Sequence, residues 1–173
     1  MNQNQDNLSN SLSKTLVESD LSNVTFDILE SSVDASLLND GFLREIPILS
    51  SIIGIGKTII SVQNYLFTKK IIAFLSGLSN ISKEDRKEVI SKINADPNYN
   101  QFVGSKLLFL IDNAQDHISA RLISKLFVAF IEKKMTYKEF CKASLIINKI
   151  DYYDLEIFLN IPDEAYGGNG TEG

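Results

Sequence analysis

The stretch Ser51-Ile-Ile-Gly54-Ile-Gly56-Lys57-Thr58 comes within one residue of a phosphate-gripping loop. Such a loop needs glycine at its first position, then Gly-Lys-Thr or Gly-Lys-Ser at its end, because successive backbone N–H groups must wrap the phosphates while the lysine neutralises them. Here Ser51 stands at the first glycine position. The loop must also join a strand to a helix, and a second apolar strand ending in Asp must hold magnesium. Neither has a counterpart downstream, so nucleotide binding through Lys57 is the least favoured of three readings. The other residue types capable of chemistry are isolated. His117 is the only histidine and has no cysteine or acid at zinc spacing, so a surface or capping place suits it better than a triad. Cys141 falls among apolar residues on a helix and reads as a small core residue. Asp112 and Asp116 lack the glycine and closing glutamate of a calcium loop, and Asp151 with Asp154 is explained by helix capping. No catalytic constellation, metal set or cofactor site emerges, and the expectation is a protein that is not an enzyme.

Placed on a helix at 100° per residue, the same stretch becomes coherent. Ser50, Ser51, Gly54, Lys57, Thr58, Ser61 and Asn64 share one side, while Ile52, Ile53, Ile55, Ile59, Ile60, Leu66 and Phe67 cover the other. Small residues at four-residue intervals let two helix backbones approach closely. The polar side is therefore the expected interaction face, receiving a protein partner or a second copy of the chain. The apolar side suits either a core or lipid. Ile46 to Phe67 spans 22 residues, close to the length needed for a hydrocarbon layer of roughly 30 Å at 1.5 Å per residue. Tyr65, Lys69 and Lys70 would then stand at the interface. Lys57 in the middle costs about 2.5–3.5 kcal/mol at bilayer depth unless it meets protein or water. The membrane reading therefore requires an oligomeric, pore-like assembly or a helix lying on the surface.

The elements that must position these residues are helical. Apolar residues recur at spacings of three and four from Val24 to Leu38, with Gly41 as a stop, and run almost unbroken from Ile48 to Leu78 after Pro47. "SKED" at Ser82 is a capping box with Asp in place of Glu, "TYKE" at Thr136 is a complete one, and Asp96-Pro97 ends a helix between them. Residues 99–113 and 118–130 are amphipathic, and Asp151 caps a last helix carrying Leu155, Phe158 and Leu159. The charges of "KEDRKE", Lys83 to Glu88, read as a solvated face with local ion pairs. The fold expected is all-α, a single bundle of six or seven helices over residues 21–160 with one long central apolar segment at 46–78. Residues 1–20 and 161–173 are polar enough to be expected as disordered tails.

The 173 residues are 44% hydrophobic and 23% charged, with 17 bases against 22 acids for a net charge of −5, which suits one soluble domain. Residues 1–45 hold two bases against eight acids, and no segment is basic enough for nucleic acid. One cysteine excludes an internal disulfide, and the first twenty residues lack the pattern of a secretory signal. The expected place is the cytoplasm, or the inner face of the cytoplasmic membrane.

The run from Asp40 to Leu78, with "KLLFLIDNAQD" and "MTYKEFCKASLIIN", resembles a loose set of short all-helical bacterial proteins over about residues 34–159. Their encounter beside mobile elements and antiphage genes implies a place in defence. The chain is also similar in length and layout to small membrane effectors accompanying some RNA-targeting CRISPR nucleases. Their Arg-to-His nuclease spacing is absent, since Leu110, Ile111 and Asp112 precede His117 at the required positions.

Overall fold

A computed structural model describes residues 3–30, 41–55, 62–96, 103–151 and 154. All regular structure among them is helical, in the order α1 Gln3–Glu18, α2 Asp27–Glu30, α3 Gly41–Glu45, α4 Pro47–Ile55, α5 Val62–Ser76, α6 Lys83–Ala95, α7 Val103–Asp112, α8 His117–Ile131 and α9 Tyr137–Ile147. Helix starts follow the side-chain oxygens available to orphan N–H groups. Asp85 N donates to Ser82 Oγ at 3.0 Å, and Ser119 N donates to the Asp116 carboxylate at 2.7 Å. Thr136 and Glu139 complete a reciprocal box at the start of α9. Helix α8 ends in a Schellman turn, with Lys133 N donating to the Phe130 carbonyl and Lys134 N to that of Ala129. Lys133 occupies the left-handed position of that turn, at φ 62°.

One apolar core joins these helices. Its centre is the pairing of α5 with α8, where Phe74 and Phe127 lie 5.9 Å apart and Phe127 meets Phe140 of α9 at 5.4 Å. A second layer is built by α1 against α4, α6 and α7. This layer corrects the expectation of a disordered tail over residues 1–20. Leu12 and Leu16 are fully buried, Leu8 packs at the edge, and this i, i+4 stripe fits the trough between α4 and α7. Three hydroxyls of α1 find partners in the fold. Ser9 and Ser105 hydroxyls meet at 2.6 Å, Ser11 and Ser51 hydroxyls at 2.6 Å, and Thr15 Oγ1 accepts the N–H of Ile48 at 3.0 Å while donating to the Ser11 carbonyl.

The long central helix is not among the described elements. Helices α4 and α5 stand where it was expected, residues 56–61 between them lie outside the described residues, and the two pack on different partners, α4 on α1 and α5 on α8. The helix expected from Val24 is described only as the single turn α2, and Gly41 opens α3 rather than closing a helix. The expected final helix after Asp151 and the expected tail at 161–173 fall outside the described residues.

Candidate interaction site

The expected interaction face is divided by the fold. Ser51 is taken up by Ser11 of α1, whereas Ser50 and Gly54 are exposed, and a Cβ at Gly54 would meet nothing within 4 Å. Lys57, Thr58 and Ser61 lie outside the described residues. Close backbone approach does occur, at other glycines. A Cβ on Gly104 of α7 would stand 2.5 Å from the Ser9 carbonyl oxygen, and one on Gly77 would stand 1.8 Å from Ser124 Oγ. The small-residue pattern thus operates between α7 and α1 and between the end of α5 and α8.

The expected lipid side is divided too. Ile52 belongs to the core under α1, which corrects its assignment to a membrane-facing surface; Ile53 and Phe67 are half-buried, and Leu66 is exposed. Ile59, Ile60 and the side chain of Ile55 lie outside the described residues. No helix among the described residues is long and apolar enough to cross a membrane. A helix, not a strand, leads towards Gly56, so the described backbone lacks the strand that a phosphate loop requires.

Asn64, the last residue of the expected face, opens onto a groove of about 440 Å³ between α1, α5 and α7. Its apolar lining includes Leu8, Phe67, Leu108 and Phe109, and its two charged lining residues are Asp6 and Asp112. Phe109 is 51% exposed in it, while Val62 at 74% and Leu66 at 51% are exposed on another side of α5. Two lysines lie alongside. Lys106 Nζ sits 5.3 Å above the Phe109 ring, and Lys70 Nζ donates to the Asp112 carbonyl at 2.9 Å. The first turns of α5, Val62-Gln-Asn-Tyr-Leu-Phe, hold none of its fully buried residues, which begin at Thr68.

Residues with other chemistry are placed in structural roles. His117 stacks on Phe26 at 6.1 Å, with the Arg121 guanidinium 4.0 Å from the same ring. Burial, then the nearby Lys69 charge, holds its pKa below the ordinary histidine value, against the pull of Asp116. Cys141 is half-buried, and burial pushes its thiol up, away from a reactive thiolate. Asp116 caps α8. Among the described residues no three His, Cys, Asp or Glu side chains converge as a metal site.

Arg86 corrects the reading of Lys83 to Glu88 as a wholly solvated face. It is 1% exposed, its Nη2 donates to the Ser19 carbonyl at 2.6 Å, and its Nε and Nη1 have no hydrogen-bond partner. Burial lowers its pKa, opposed by the charges of Asp20 and Glu84. The guanidinium closes the last turn of α1, a position where a cation satisfies the exposed end of the helix dipole. Sequence spacing on α6 alone carried one signal of this, since Arg86 lies four residues before the buried Ile90.

No family model, curated relative or solved structure matches the chain. Among the described residues the protein is all-helical, with an open groove between α1, α5 and α7.

Proposed function

We propose that this is a non-enzymatic helical interaction protein, which receives an apolar helix of a partner or of a second copy in the groove between α1, α5 and α7. The observation that carries the reading is a groove of about 440 Å³ whose apolar lining is Leu8, Phe67, Leu108 and the half-exposed Phe109. Large apolar side chains exposed together are a standing cost in water, and a helix laid into such a groove removes them from it. The small-residue side of α4 is open at Ser50 and Gly54 and is the second surface available to a partner on this reading.

A second reading has one observation in its favour. On the outer side of α5, Val62 and Leu66 alternate with Lys69 and Lys70, and Lys69 Nζ lies 5.6 Å over the Tyr65 ring. That arrangement suits a helix resting on an anionic membrane surface rather than crossing it. A photo-crosslinking amino acid at Leu66 of the full chain, irradiated in cells, separates the two. The interaction reading expects discrete protein adducts that are absent when the probe stands at exposed Lys87 and that disappear with Phe109→Asp. Adducts confined to lipid favour the membrane surface, and the absence of any adduct refutes both.

A further inference from the structure

Arg86 is the only charged side chain fully buried among the described residues. Its Nη2 donates to the Ser19 carbonyl, its Nε and Nη1 have no hydrogen-bond partner, and among the described residues it is in no ion pair. A buried charge in this state is costly unless an opposite charge meets it. Arg86 also lines a cleft of about 420 Å³ between the turn that follows α1 and the start of α6. That volume is in the range of about 300–1,000 Å³ usual for small-molecule sites. The N–H groups of Lys83 and Glu84, which also line it, precede the first backbone bond of α6, from Arg86 N to the Ser82 carbonyl at 3.2 Å. A carboxylate placed there meets Lys83, the positive end of the helix dipole and the open donors of Arg86.

The cleft is not simply an anion site. Asp20 and Glu84 line it as well, so its charged lining holds two groups of each sign. Hydrogen bonds from Ser22, then the charges of Arg86 and Lys83, hold the Asp20 carboxyl below the ordinary carboxylate value, so it is ionised and within their field. Neither acid is in an ion pair among the described residues. A ligand with one negative charge meets these carboxylates, and a ligand with one positive charge meets Arg86 and Lys83. Only a molecule carrying both signs close together answers all four. The neutral lining is serine and asparagine apart from Leu21 and Ile81, which suits a small polar molecule.

We infer that this cleft binds a free α-amino acid, with its carboxylate on Arg86, Lys83 and the N-terminus of α6 and its ammonium on Asp20 and Glu84. The cleft shares no lining residue with the groove between α1, α5 and α7, so the inference does not depend on the interaction reading. A ligand held there ties the end of α1 to the start of α6, two helices already packed together.

The test is nuclear magnetic resonance of the isotope-labelled full chain, with L-serine, acetate and methylammonium titrated separately at constant ionic strength. With L-serine, saturable shifts are expected at the Lys83 and Glu84 amides and at Arg86 Nε–H. Each probe of a single sign should bind at least about tenfold more weakly. Asp20→Asn, at an exposed position and keeping an acceptor for Ser22 N, should weaken L-serine at least about tenfold and leave acetate no weaker. Arg86→Gln should weaken L-serine and acetate alike, with folding checked by circular dichroism. Lys83→Ala, at an exposed position, should do the same in a chain that keeps its core intact. Acetate bound as tightly as L-serine, or an L-serine affinity unchanged by Asp20→Asn, overturns the two-signed ligand. The absence of saturable shifts at these three resonances up to roughly tens of millimolar L-serine overturns the site itself.

Discussion

Replacing Gly104 with alanine tests the docking of α1, the element on which the groove's third wall depends. The new Cβ would stand 2.5 Å from the Ser9 carbonyl oxygen and 2.0 Å from Ser13 Oγ. The serine side chain can rotate away, but the carbonyl belongs to the α1 backbone. Helix α1 must retreat by about 0.9 Å to reach the 3.4 Å of an ordinary contact. Overpacking of this kind costs about 1–3 kcal/mol. The retreat also strains the Ser9–Ser105 hydroxyl pair at 2.6 Å, a bond whose loss costs about 0.5–1.5 kcal/mol. Alanine returns about 1 kcal/mol through its helix preference. The net expectation is a loss of about 2 kcal/mol, or about 4–8 °C in melting temperature for a chain of this size. Gly54→Ala is the matched control, since it sits at an exposed position of α4 with nothing within 4 Å of the new methyl and should gain up to about 1 kcal/mol. Calorimetry on both variants, with limited proteolysis at residues 1–20 as a local readout, decides the matter. If Gly104→Ala is as stabilising as Gly54→Ala and leaves proteolysis unchanged, α1 is not seated on α7 and the groove lacks that wall.

Three further outcomes follow from other parts of the fold. Lys133→Gly relieves a side chain at φ 62° and should raise stability by about 1 kcal/mol in chemical denaturation, whereas Lys133→Ala should not. Thr136→Ala removes the oxygen accepting Glu139 N and the partner of its carboxylate, and should lower stability by about 1 kcal/mol. His117 has its folded pKa below the unfolded value, so the unfolded chain takes up the proton first. Stability should therefore fall as the pH drops through about 6.5, and a His117→Gln variant, measured from pH 8 to pH 5, should lack that part of the slope. An unchanged slope refutes the burial of His117 against Phe26.

How much of this was legible beforehand depended on whether the signal was local. Cap chemistry was local: Ser82 and Thr136 each satisfy the N–H three residues on, so both helix starts stood in the sequence as they stand in the fold. The all-helical class followed likewise from apolar spacing in α7, α8 and α9. The groove did not. Phe109 and Phe67 each read as ordinary apolar members of amphipathic helices, and only the packing of α1, α5 and α7 brings them to one groove. The 46–67 wheel located the right region but not the division of its two sides, because Ile52 and Ser51 were claimed by a helix forty residues earlier in the chain.

Helix α1 shows the boundary most plainly. Its composition, rich in Asn, Gln and Ser, argued against order because composition counts hydroxyls as groups that prefer water. In the folded chain those hydroxyls pair with Ser105, Ser51 and the Ile48 N–H, and two leucines supply the apolar contact. What the sequence determined by itself was the helical class and where several helices begin, since those rest on contacts within one turn. What only the tertiary structure decided was which polar residues are buried and which apolar ones remain exposed, since both depend on partners tens of residues away.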